Sequence, residues 1–240
     1  MNHDLMLEPL PAGKLPGWLL RKVLHGLPAG DSDILVGPGL GRDAAAIAVG
    51  GRVVVAKNDP ITFASEGGAA HLVEVNANDV ACMGATPRWL LVTALLPYGV
   101  TPADVLNQFA ELRETCRHRS VELIGGHTEI MRGLERPILV GMMLGDASPS
   151  ELLRPGQAQP GDVLLVTKGL AIEGTALLAR ERADELSELI GGESVRAAAR
   201  LLDKPGISVV AEAEIARRSG HVTALHDPTE GGLASAVREL

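Results

Sequence analysis

Hydrophobic and polar positions along this chain change period several times, and each change marks an element. Pro16 opens a run, LPGWLLRKVLHGL, with apolar residues at helical spacing, and Leu27-Pro28 ends it. Ile34–Val36, Ala45–Val49 and Arg52–Lys57 read as strands, the last two joined by Gly50-Gly51 in a tight hairpin. From about Gly68 to Met83 apolar residues lie almost all round a helix, so that helix is expected to be buried. Arg88–Leu96 reads as an apolar strand. Thr101-Pro102 then caps a helix with Val105, Phe109, Leu112 and Cys116 on one face. Val121–Ile124 and Pro137–Leu144 read as two further strands. An order that mixes hairpins with crossovers predicts an α+β fold.

The pattern breaks between Ala147 and Gly161, where SPSELLRPGQAQPG is rich in Pro, Gly and polar residues. Beyond it a strand is expected at Asp162–Thr167, with helices from Ile172 to Ala183, near Ser194–Leu202 and near Ser208–Arg218. A strand at Val222–Leu225 and a helix from Gly231 onward complete the second unit. The expected division is therefore an N-terminal tail and helix over 1–30, an α+β domain over 31–148 and an α/β domain over 149–240. Leu233, Ala236, Val237 and Leu240 mark a helix face in need of a partner, without a Gly cap or closing turn after it. The expectation is that the second domain is truncated.

Composition narrows the function classes. Among 240 residues, 22 basic against 30 acidic side chains give a net charge of −8, and aromatics make up only 2%. Both disfavour a nucleic-acid surface, which needs basic patches and stacking platforms. Cys82 and Cys116 are too far apart for a CxxC zinc or redox site and fit a reducing compartment. The N-terminus lacks the basic-then-apolar pattern of a secretory signal, and no apolar run approaches about 18 residues. A soluble cytoplasmic protein, binding neither nucleic acid nor membrane, is the expectation.

Four segments could carry chemistry. Gly37-Pro38-Gly39-Leu40-Gly41-Arg42-Asp43 lies between two strands, and Gly39 and Gly41 let backbone N–H groups converge on an anion. It lacks the Gly-Lys-Ser/Thr of a Walker A loop and equally suits an ordinary connection. Asp43, Asp59 and Asp79 each follow an apolar stretch. Carboxylates so placed can hold Mg²⁺ against a phosphate chain, or can be unrelated caps and turns. Asn76, Asn78 and Asp79 sit inside an otherwise apolar helix, where polar groups need partners. In Ile124-Gly125-Gly126-His127-Thr128-Glu129 a strand ends in Gly-Gly followed by polar side chains, which equally suits a turn. His226-Asp227-Pro228-Thr229-Glu230-Gly231-Gly232 stands at a strand-to-helix junction whose free N–H groups suit an anion or whose Asp227 or Thr229 is a plain cap. Cys82 reads as a core residue rather than a nucleophile.

The order GPGLGRDAAAI, KNDPITF, NANDVACMGATPRW, IGGHTEI and DPTEGGLASAVREL resembles the aminoimidazole ribonucleotide (AIR) synthase superfamily, and most of all its hydrogenase expression/formation branch. The resemblance spans about Ile34 to Leu240. It implies an N-terminal domain that dimerises by joining its sheet to a partner's, a C-terminal α/β domain, and ATP·Mg²⁺ held in the cleft between them. It implies Mg²⁺ ligation by Asp43, Asp59 and Asp79, and nucleotide contacts from Gly39, Gly41, Asn78, Gly125, Gly126, His127, Thr128 and Asp227. The implied chemistry is ATP-dependent, ligase- or transferase-like phosphorylation of a small carbonyl- or amide-type substrate, with other hydrogenase-maturation proteins as partners. Arg42 stands where the superfamily often has a first acid, Lys57-Asn58 replaces Thr-Thr, and no cysteine follows Cys116. A non-catalytic nucleotide-binding accessory protein and a small-molecule kinase are the alternatives.

Overall fold

The structure is a computed structural model that describes residues 9, 10, 12–25, 27, 30–62, 67–229 and 231–240. Pro28, Phe63 and Glu230, named in the motifs above, lie outside the described residues. After a first helix, α1 (Gly17–His25), come β1 (Ile34–Val36), β2 (Ala45–Val49), β3 (Arg52–Ile61) and α2 (Gly68–Cys82). Then follow β4 (Thr86–Pro97), α3 (Pro102–His118), β5 (Glu122–Met131) and β6 (Ile138–Ala147). The strands form one mixed sheet in the order β1-β2-β3-β6-β4-β5, antiparallel except for the β4–β5 pair.

Side-chain alternation decides which face the helices cover. Val53, Val55, Ile61, Leu90, Val92, Ala94, Leu96, Leu139 and Met143 point inward to meet Leu72, Val73, Ala77 and Val80 of α2 in a single core. The opposite face carries Val54, Ala56, Leu91, Leu95, Met142 and Leu144, half-buried or exposed. Thr101 closes the N-terminus of α3 in a capping box with Asp104. Parallel β4 and β5 are joined through α3, the crossover that a parallel pair requires.

The rest of the described chain is helical: α4 (Ile172–Glu181), α5 (Ala183–Ile190), α6 (Gly192–Ala199), α7 (Val210–Ser219) and α8 (Gly232–Glu239). Here two expectations need correction. Asp162–Thr167 and Val222–Leu225 form no strand and pair with none among the described residues. The apolar side chains Val163 and Leu165 stand more than 80% exposed, so the hydrophobic run has no layer to lie on. A strand is made by its neighbour's hydrogen bonds, and an apolar run alone does not supply them. A hydrogen bond from Thr223 Oγ1 to Asp162 Oδ2 at 2.7 Å links the two segments.

Two residues of α2, and Glu151 after β6, tie these helices to the sheet domain. Asn78 donates through Nδ2 to the Ile207 carbonyl at 2.9 Å and accepts from the Val209 N–H at 2.8 Å. His71 Nε2 lies 2.9 Å from Glu173 of α4, and Arg217 of α7 pairs with Glu151. Among the described residues no helix is long and apolar enough to cross a membrane.

Candidate functional site

The site is built where α2, β3, the β1–β2 loop and the segment before α8 meet. Residues 57 and 59 of β3 are two apart, so both side chains leave the sheet on the face that α2 covers. Asp79 descends from the last turn of α2. Lys57 Nζ lies 2.8 Å from Asp79 Oδ2 and 3.5 Å from Asp59 Oδ2, with Lys57 and Asp79 both buried. Asn76 completes the join, donating to the Leu72 carbonyl at 2.9 Å and, at 3.5 Å, to the Asp59 carbonyl.

Asp43 and Asp227 stand on the other side. His226 Nδ1 is 3.7 Å from Asp43 Oδ2 and 3.8 Å from Asp227 Oδ1, while its Nε2 lies 2.7 Å from Glu239 of α8. Gly41, Asp43, Asp79, Cys82, His226, Asp227 and Glu239 line one small cavity of about 20 Å³, room for little more than one water. Gly41 has φ +67°, and a Cβ there would come within 2.9 Å of the Glu239 side chain. A side chain at 41 would thus be strained twice over, by its backbone angle and by its neighbour.

Burial sets the electrostatics. It opposes the Lys57 charge, but the adjacent Asp79 carboxylate, with Asp59 and Asp43 beyond it, outweighs burial and holds the ammonium above its ordinary value. Burial raises Asp79 against the pull of Lys57, and Asp43 and Asp59 add to the rise. Asp227 is pushed well above the usual carboxylate range by burial first and by the Asp79 charge second. Burial, reinforced by Asp227, likewise pushes the Cys82 thiol far up, so this sulfur is an inert core group, as its sequence context suggests.

Four of the sequence motifs therefore meet: Gly41 with Asp43, Asp59, Asp79 and Asp227. Others do not join them. Asn78 uses both ends of its amide to hold residues 207 and 209, so its partner is the chain itself rather than a cofactor. Gly125, Gly126, His127 and Thr128 form no turn; they continue β5 as an exposed edge strand. Two strands, β6 and β4, separate them from β3, a distance of about 14 Å at ordinary strand spacing. Gly126, at φ +149°, is instead required by the sheet, because a Cβ would overlap the Val92 carbonyl. Gly39 sits beside the Arg42 side chain, whose Nη1 donates to the Gly37 carbonyl at 3.3 Å.

The expected Mg²⁺ site also changes. Among the described residues no three His, Cys, Asp or Glu groups are gathered so as to hold a metal ion. Lys57 stands between Asp59 and Asp79, and Asp43 turns toward His226 instead. As arranged, these residues do not fit Mg²⁺. Sequence reading missed two members of the cluster, Lys57 as a site residue and Glu239, and held His226 only as the first residue of the strand-to-helix segment. Lys57 had a legible signal, a lone cation ending the apolar run VVVA two residues before Asp59. Glu239 had none, since only the fold of α8 brings it near.

Comparison with known proteins agrees with the motif order. Residues 41–147 match the N-terminal domain of AIR synthase related proteins and residues 159–240 match their C-terminal domain. The carbamoyl dehydratase HypE of Rhizobium leguminosarum bv. viciae is 25% identical over 246 residues, covering 100% of this chain and 66% of its own. The solved structure of AaThiL complexed with AMPPCP and TMP superposes with a TM-score of 0.64 at 17% identity, covering 83% of this chain and 60% of the other. The hydrogenase maturation protein HypE in complex with ATP gives 0.50 at 19% identity, covering 68% and 46%. The chain thus spans about half to two thirds of the length of these relatives. On the two domain matches, together with the folded sheet and cleft, the chain belongs to the AIR synthase related family.

Proposed function

We propose that this chain carries the nucleotide site of an ATP-dependent protein of the hydrogenase-maturation type. The proposed activity is phosphorylation of the oxygen of a small carbonyl- or amide-type substrate. The observation that carries the reading is convergence: the Gly41–Asp43 loop, the Lys57–Asp59 strand, Asp79 and the His226–Asp227 junction reach one cleft from distant parts of the chain. The HypE relative and the HypE structure with ATP support both halves of it. Chemically, an amide oxygen is a poor leaving group, and transfer of a phosphoryl group to it makes a good one. Backbone N–H groups around Gly39 and Gly41 and the guanidinium of Arg42 are the groups suited to the phosphates. Mg²⁺ is assigned no residue, because the acids as arranged do not form its site.

We further propose that the protein is a cytoplasmic homodimer that works with other hydrogenase-maturation proteins. The open sheet face, with Val54, Leu91, Leu95, Met142 and Leu144 half-buried or exposed, favours a second copy as its cover. Light scattering of the purified chain reads the dimer directly.

Isothermal titration with a non-hydrolysable ATP analogue tests the nucleotide reading. Gly41→Ala, which crowds the loop, combined with Arg42→Ala, which removes the guanidinium suited to the phosphates, is expected to weaken binding roughly tenfold or more. No binding by the wild type, or binding indifferent to both substitutions, refutes the reading. Arg42, standing where the family often has an acid, favours a second reading, that of a non-catalytic nucleotide-binding accessory protein. Turnover of ATP in the presence of an amide or thiocarboxamide acceptor would eliminate it.

A further inference from the structure

The acids expected to ligate a metal already share a ligand. Lys57 Nζ sits 2.8 Å from Asp79 and 3.5 Å from Asp59, and its side chain, like that of Asp79, is only 8% exposed. Three features make this an occupied cation position rather than a passing surface pair. First, β3 alternation sends residues 57 and 59 from the same face of the sheet, so the ammonium and the Asp59 carboxylate, itself 42% exposed, leave the strand side by side. Second, Asp79 comes from a buried helix whose Asn76 is hydrogen-bonded to the Asp59 carbonyl, which sets the spacing between the acids. Third, a buried carboxylate needs a cation or a proton, and removing one partner of such a pair strands the other.

A hard divalent ion asks for six or more oxygens at about 2.0–2.6 Å, converging with nothing between them. An ammonium lodged between two of those oxygens fills the space and cancels the charge that would attract the ion. The remaining acid, Asp43, is faced by His226 and does not close a third side. We propose that Lys57 is a built-in counter-cation that takes the place of a divalent ion between Asp59 and Asp79, so that the protein alone has no divalent-cation site there. Removing the Lys57 charge should open one.

Manganese is the probe, titrated into nucleotide-free protein and followed by electron paramagnetic resonance of the unbound ion. The wild type is expected to bind no Mn²⁺ at this cluster tighter than about 1 mM, a level typical of weak oxygen sites. Lys57→Thr, which exchanges the ammonium for a small hydroxyl, is expected to gain a site at least roughly tenfold tighter. Asp59→Asn added to Lys57→Thr should abolish the gain, and Lys57→Arg, which keeps a cation, should show none. Sub-millimolar binding by the wild type that Asp59→Asn removes overturns the proposal. So does a folded Lys57→Thr protein with unchanged Mn²⁺ affinity. If Lys57→Thr fails to fold, the wild-type titration decides alone. The inference concerns the same cleft as the nucleotide reading but does not rest on it: a failed ATP-analogue titration refutes that reading and leaves the manganese result standing.

Discussion

Replacing Asn78 with Ala separates a structural role from a binding role. Its amide makes two hydrogen bonds, 2.9 Å to the Ile207 carbonyl and 2.8 Å from the Val209 N–H, across 129 and 131 residues of chain. Asn78 is buried and the segment it holds leads into α7, which packs on α2. Each bond contributes about 0.5–1.5 kcal/mol net, and a buried group left unsatisfied costs about 1–3 kcal/mol more. Water can reach part of this junction, so a total of about 2–4 kcal/mol is expected for Asn78→Ala. For a chain of this size that lowers Tm by roughly 5–15 °C. Hydrogen exchange should show the loss concentrated in α7, with the sheet little affected. Asn78→Asp keeps the acceptor for the Val209 N–H but turns a buried carboxylate oxygen toward the Ile207 carbonyl, and near neutral pH should be at least as destabilising as Asn78→Ala. A Tm within about 1 °C of wild type, joined to a loss of ATP-analogue binding, would refute the structural assignment and restore Asn78 as a ligand contact.

Three further outcomes follow from the same geometry. Asp227 and Asp79 have folded pKa values raised above the ordinary carboxylate value, so the native state holds more protons than the unfolded one as pH rises past that value. Their contribution to stability is therefore present at acid pH and lost as pH climbs through the raised values. Urea midpoints between pH 4.5 and 7.5 should fall less steeply in Asp227→Asn than in wild type, and an unchanged slope would remove Asp227 as the source. Gly126→Ala should destabilise by about 2–4 kcal/mol, from overlap with Val92 and an unfavourable backbone angle; a loss below about 0.5 kcal/mol in urea unfolding would contradict the close β4–β5 approach. Cys82 and Cys116 are both buried, and burial pushes the Cys116 thiol up to about 11. A thiol reagent should find neither cysteine in native protein and both after denaturation.

The N-terminal half was legible because its elements bury one face each. The apolar runs at 45–49 and 52–57, the all-round apolar helix expected over about 68–83 and the Thr101-Pro102 cap match the structure's β2, the start of β3, α2 and the start of α3. Their ends were less legible: β3 continues through the polar Asn58, Asp59 and Pro60, and β5 through Gly125 to Met131. In both cases pairing with a neighbour overrides local composition. In the other half Val163–Val166 has strand character in sequence but no pairing partner among the described residues, so propensity had nothing to act on. At the site, the individual acids could be named one by one, but their pairings could not. That Asp79 meets Lys57, and that His226 lies between Asp43 and Glu239, depends on elements far apart in the chain.

The placement of β6 bears on how this chain reaches its fold. It is the last strand of the sheet in sequence, yet it lies between β3 and β4, with nine residue pairs to each, those to β4 shifted by a bulge between Pro87 and Trp89. During synthesis the β2–β3 hairpin, α2 and β4 emerge first and must wait, β3 and β4 each with an open hydrogen-bonding edge, until residues 138–147 arrive. Closing loops of that length is slow, and exposed edges are sites of wrong pairing. A ribosome-bound fragment ending before Ile138 should therefore stay protease-sensitive and prone to aggregate, and extension past Ala147 should protect it in a single step.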